Sequence, residues 1–212
     1  MRSVITFFTG FMAGMLFLLA LLWSHGSLQP VRAAAPTTRV TTAVARRPAP
    51  PPPPPQATPE AALEQDVPSL IIPVEGADAS KIVDTFASAR SGDKRHEATD
   101  IMAPQGTPVL AAADGTIVKL FLSRAGGNTI YQFDPTRTWC YYYAHLDHYA
   151  AGLTQGATVK QGQVIGYVGS TGDASPSAPH LHFAINKLGP EKQWWKGTAV
   201  NPYPVLMRHA RQ

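Results

Sequence analysis

Hydrophobic positions along the 212 residues fall into three regimes. Val4 to Trp23 (VITFFTGFMAGMLFLLALLW) carries no charge over 20 residues. At about 1.5 Å per residue, a helix of that length covers roughly 30 Å, the thickness of a bilayer core. A signal-peptide apolar region is usually only about 7–15 residues long. The pattern therefore predicts an uncleaved signal anchor, a transmembrane helix over residues 1–25. Ala33-Ala34-Ala35 keeps cleavage open as the alternative, because small residues suit a signal-peptidase site. Charge does not fix the orientation, since only Arg2 and the amino terminus lie on the short side and an Arg cluster lies beyond the span.

Residues 26–69 form the second regime, with Pro50 to Pro55 in one run among Ala and Thr. Proline lacks a donor and fixes φ, so this stretch favours extended polyproline II and reads as a disordered spacer. Fully extended, it would reach on the order of 100 Å. Glu60 to Asp66 offers a helical turn and no more. From Leu70 the pattern changes to short β-like runs separated by Gly, Pro and Asp. They are Thr107–Ala111, Gly115–Leu122, Asn128–Phe133, Trp139–Leu146, Ala157–Val159 and Gln163–Val168. Short strands at this spacing predict an all-β barrel or sandwich. Pro108–Leu120 and Val159–Val168 look alike, each a strand, a turn around Gly and another strand, the grammar of a duplicated hybrid-motif barrel. The expected domain is 70–207, with 208–212 as a tail.

Charge narrows the function. The net charge of +4 is modest and unevenly placed, with Arg32, Arg39, Arg46 and Arg47 in a stretch that has no acidic residue. From Leu70 onward 13 Lys+Arg face 11 Asp+Glu, so that part is nearly balanced and no nucleic-acid partner is expected. The single cysteine, Cys140, excludes an intramolecular disulfide and a Cys-rich metal site. Among Trp139 and Tyr141 to Tyr143 it reads as a small core residue.

Seven histidines remain to be placed. His25 and His209 lie outside the β pattern. His180-Leu181-His182 reads as strand, so both imidazoles share one face while Leu181 and Phe183 face the core. His96 and Asp100, four apart, share a face in a strand or a helix, and the following Ile-Met-Ala-Pro-Gln-Gly does not continue a helix. The segment superficially looks like HExxH, where Glu is a general base, but the second His is Asp100 and in a strand Glu97 would point away from His96. His145 ends an aromatic strand, and His148 reads as surface.

Taken together these clusters resemble the lysostaphin/LytM-type zinc metalloendopeptidases, over about Ile72 to Leu206. The family's HxxxD stands here as His96 and Asp100, followed by DIMAPQGTPV; its YAHL is Tyr143 to Leu146; its HLHF is His180 to Phe183. The resemblance implies that His96, Asp100 and His182 bind zinc, that His145 and His180 are the non-ligand catalytic histidines, and that Asn128 lies near the substrate groove. Three ligands leave a fourth position open, as catalytic zinc requires. Ala98 stands where the family often has Gly, Asp173 to Pro179 is longer than usual, and Ala184 replaces a common acidic residue.

The resemblance implies an endopeptidase that cuts peptidoglycan cross-link peptides, held by its N-terminal helix in the cytoplasmic membrane with the catalytic domain on the periplasmic side. Cell-wall enzymes or regulators are the protein partners it suggests. Two other readings stand beside it: a non-enzymatic LytM-like regulator of another wall hydrolase, and a lipoyl- or biotinyl-like carrier domain. Lys119 and Lys160 are not centred in a convincing carrier turn.

Overall fold

A computed structural model describes residues 58–89 and 95–210. The signal-anchor segment and most of the Pro-rich stretch lie outside the described residues. Among those described, no helix is long and apolar enough to cross a membrane.

The described chain is mostly β, as its short-strand pattern predicts. It opens with helix α1 (Pro59–Asp66) and then forms nine strands. These are β1 (Thr99–Met102), β2 (Pro108–Leu110), β3 (Gly115–Ser123), β4 (Gly127–Phe133), β5 (Trp139–Tyr149), β6 (Thr158–Val159), β7 (Val164–Val168), β8 (His180–Leu188) and β9 (Gly197–Val200). Helix α2 (Pro202–Ala210) closes it.

Helix α1 is longer than the single turn expected of Glu60–Asp66. Thr58 caps it, its hydroxyl accepting from Ala61 N at 3.2 Å, and Pro59 enters with φ already set. The chain then returns to the core, burying Val67 and Leu70. Helix α2 holds this segment down, because Arg208 Nη2 donates to Glu64 O at 2.8 Å at the end of α1. Apolar Val205, Leu206 and Met207 anchor α2 itself.

All strand pairs are antiparallel, in the order β1-β8-β5-β4-β3-β6, with β9 also on β8 and β7 bridging β5 and β2. The two look-alike segments pair with each other: β2 with β7, and β3 with β6. Along β5, Tyr141 and Tyr143 enter the main core with Phe183 and Ile185 of β8, while Cys140 joins a small cluster on the other face with Phe133 and Leu188. Burial pushes the Cys140 thiol up to about 12, so it packs as an apolar residue and is no nucleophile at neutral pH.

The path of β5 sets up the site. Its first half, Trp139 to Ala144, pairs with β8; from Leu146 it pairs with β7 instead. Between the two pairings the register with β4 shifts: Asn128 faces Leu146, yet Ile130 faces Tyr143. One extra β5 residue is accommodated as a bulge, which bends the strand and re-aims a side chain. That side chain is His145, whose φ is +61°. A non-glycine residue in the left-handed region costs about 1–3 kcal/mol and persists only where its surroundings hold it.

Candidate metal centre

Three donor atoms from separate elements meet on the outer face of the sheet. Asp100 and His182 are direct cross-strand partners in β1 and β8. Because Leu181 and Phe183 are buried without exposure, alternation turns His180 and His182 outward together. His96 arrives from the loop before β1. There Glu97 takes φ +55°, and backbone bonds from His96 N to Ser88 O and Glu97 N to Phe86 O fix the loop. This turn, and not strand alternation, buries His96 and leaves Glu97 exposed.

The donor atoms lie close together. His182 Nδ1 is 3.0 Å from Asp100 Oδ1, His96 Nε2 is 3.1 Å from the same oxygen, and the two nitrogens are 3.0 Å apart. His96 Nδ1 is 3.0 Å from Thr85 O, an N–H donor to that carbonyl in the tautomer that leaves Nε2 as a lone pair. With His182 presenting Nδ1 unprotonated, three acceptors then converge, an arrangement that calls for a shared cation. Ligand atoms about 3.3 Å apart follow from tetrahedral bonds of about 2.0–2.1 Å to zinc, close to the spacing here. Burial alone would raise the Asp100 carboxyl. Where the imidazoles carry their protons instead, hydrogen bonds from His182 and His96, with their charge, outweigh burial and hold the carboxyl well below the usual carboxylate range. Among the described residues, His96, Asp100 and His182 form a group able to hold a metal ion.

Two further imidazoles flank this group. The rings of His145 and His180 are 5.0 Å apart, and His145 is 5.6 Å from His182. Each has its Nδ1 against a backbone carbonyl: His145 on Thr171 O at 2.8 Å, His180 on Ala178 O at 2.9 Å. With Nδ1 as donor, both present Nε2 toward the groove as an acceptor. Burial, as the largest influence, and the neighbouring His182 and His180 lower the His145 pKa, against the bond His145 donates to Thr171 O and the Asp173 charge. His148 is exposed, paired with Asp147 at 2.7 Å and outside the group. Asn128 is not among the residues lining the groove; its Nδ2 donates to Leu146 O and Asp147 O, at 3.2 and 2.9 Å.

The groove, a cavity of about 260 Å³, is also lined by Thr85, Ser88, Asp173 and Ser175, none of which the sequence reading singled out. Thr85 and Ser88 carry no local signal, lying 11 and 8 residues before His96. Asp173 and Ser175 belong to the long stretch before HLH, whose Ala178 carbonyl also orients His180. The carrier lysines are elsewhere: Lys119 lies within β3 near the Trp194 ring, and Lys160 pairs with Asp114 at 2.9 Å.

The sequence model of peptidase family M23 matches residues 94–202, which contain all five of these residues. The chain belongs to peptidase family M23. Similar proteins include the L-Ala--D-Glu endopeptidase of Bacillus subtilis, 37% identical over 129 residues, covering 58% of this chain and 38% of that one. Another is the peptidoglycan DD-endopeptidase ShyC of Vibrio cholerae, 40% identical over 90 residues, 42% of this chain and 20% of that one. This chain thus spans well under half the length of these curated relatives. Among solved structures, the catalytic domain of lysostaphin from Staphylococcus simulans superposes with a TM-score of 0.51 at 33% identity, covering 60% of this chain and 92% of that domain. The M23 match places the metal group, the flanking histidines and the bulge of β5 within one domain.

Proposed function

We propose that this M23 domain is a zinc-dependent endopeptidase that hydrolyses peptide cross-links of peptidoglycan. The observation that carries the proposal is the convergence of His96 Nε2, Asp100 Oδ1 and His182 Nδ1, with His145 and His180 directing Nε2 to the same groove. The similar endopeptidases support the substrate class. In this reading His96, Asp100 and His182 hold the zinc, and the fold is the barrel-sandwich of the duplicated hybrid motif. Zinc bound there supplies Lewis acidity toward a peptide carbonyl and toward water.

The histidines move the protons. Burial favours neutral His145, and its Nδ1–H is fixed on Thr171 O, so Nε2 accepts a proton from the attacking water. His180 Nε2, 3.8 Å from Asp100 Oδ1, faces the same groove; in the form that carries a proton there as well as at Nδ1 it donates to the developing oxyanion, and the proton that His145 takes from the water passes on to the leaving amine. We further propose that Val4–Trp23 anchors the chain in the cytoplasmic membrane and that the Pro-rich stretch lets the domain sample wall polymer outside it. The test is digestion of purified sacculi by the full chain, with muropeptide analysis, before and after chelation and zinc restoration. Zinc-dependent loss of cross-linked dimers is expected. Undiminished cutting by His96→Ala would refute the zinc assignment. Stimulation of a second hydrolase by a chain that does not cut would favour the regulator instead.

A further inference from the structure

We infer that Asn128 and Thr171 are positioning residues that hold the β5 bulge and thereby aim His145. The inference rests on the catalytic reading of His145 but names residues outside the metal group. Left-handed φ at His145 is unfavourable by itself and needs neighbours that hold it. Those neighbours form a closed set. His145 N donates to Gly126 O at 2.8 Å. Asn128 Nδ2 bonds the next two carbonyls, of Leu146 and Asp147. The Thr171 hydroxyl donates to Leu146 O at 2.7 Å and accepts from Asn128 N at 3.0 Å.

Thr171 therefore acts on both ends of the bulge. Its hydroxyl ties the loop after β7 to the backbone of the bulge, while its carbonyl takes the His145 Nδ1–H. The loop packs closely against the turn between β3 and β4. Gly127 has φ +63° and Gly172 has φ +79°, and a side chain at either would run into the facing backbone or Thr171. If the hydroxyl is lost, the carbonyl that selects the His145 tautomer loses its tether to the strand carrying His145. Neither Asn128 nor Thr171 lies among the metal-holding side chains, so zinc binding is independent of the clamp.

The test uses the full chain with Thr171→Val, Thr171→Ser and Asn128→Ala. For Thr171→Val and Asn128→Ala, kcat on cross-linked muropeptide is expected to fall on the order of 30-fold. That is less than the 10²–10⁴-fold of a lost acid–base group. KM should stay within about twofold, since substrate binding is untouched. Thr171→Ser, which keeps the hydroxyl, should recover most of the rate. In the zinc-loaded protein, imidazole ¹⁵N shifts should show His145 as the Nδ1–H tautomer in wild type and Thr171→Ser, and as a mixture in the other two. Zinc stoichiometry should stay at one in all four. An unchanged tautomer, wild-type kcat in Thr171→Val, or zinc loss in step with activity would each overturn the inference. If the wild-type chain cuts nothing, the proposed function fails, yet the tautomer and zinc readings still decide the clamp.

Discussion

Tyr141 and Tyr143 stand two residues apart on β5, both buried in the main core, yet removing their hydroxyls should have opposite consequences. Tyr143 Oη donates to Gln132 Oε1 at 2.7 Å and accepts from Ala112 N at 2.9 Å. Tyr143→Phe keeps the ring and its packing on Phe183 at 5.2 Å, but strips both bonds. Gln132 and Ala112 are themselves buried without exposure, so two polar groups lose their partner away from water. Each such group costs about 1–3 kcal/mol. The expected loss is therefore about 2–6 kcal/mol, or roughly 5–20 °C in Tm for a domain of this size. The Tyr141 hydroxyl, in contrast, has no hydrogen-bond partner among the described residues. Tyr141→Phe should leave stability within about 0.5 kcal/mol of wild type or raise it slightly. Denaturant unfolding of the two variants, with unchanged m-values, reads the difference directly. Equal destabilisation by both, or a stable Tyr143→Phe, would refute the hydrogen-bond reasoning.

Other outcomes follow from the site. Thr85→Val removes the hydroxyl that donates to Ala98 O and accepts from Asp100 N; zinc affinity should fall on the order of tenfold by competition with a chelator, the low end for a lost outer partner. The lowered His145 pKa means that its neutral form persists to more acidic pH, so kcat/KM should fall with decreasing pH through a midpoint below the ordinary value of about 6.5. A midpoint above 6.5 that disappears in His145→Ala would contradict this sign. Glu97→Gln should change kcat by less than about twofold, as expected of an exposed surface position; a loss on the order of 100-fold would restore Glu97 as a general base.

Legibility in the sequence followed the range of the interactions. The outward pairing of His180 and His182 could be read because period-two alternation puts Leu181 and Phe183 in the core. The exposure of Glu97 has another cause, the left-handed turn in the loop before β1. Beyond strand range the signal fades. His145 reads as an ordinary strand residue, because its bulge exists only in the register of β4 against β5. Thr85 reaches His96 through a backbone carbonyl that any residue could supply, and Thr171 likewise orients His145 through its main chain. Helix α1 exceeds the single turn its local sequence predicts because its packing depends on Leu63 and on Arg208, 144 residues away from Glu64. Strand β9 has no strong alternation of its own and is defined by pairing with β8.

Zinc stoichiometry of the purified full chain carrying His182→Ala, beside the one carrying His180→Ala, tests the assignment of the site most directly. The two residues share a strand, a face and a motif, and only the first meets His96 and Asp100 at 3.0 Å. The expected result is one zinc per chain in His180→Ala with cutting of sacculi abolished, and no retained zinc in His182→Ala. Zinc retained by His182→Ala and lost by His180→Ala would contradict the ligand set of His96, Asp100 and His182.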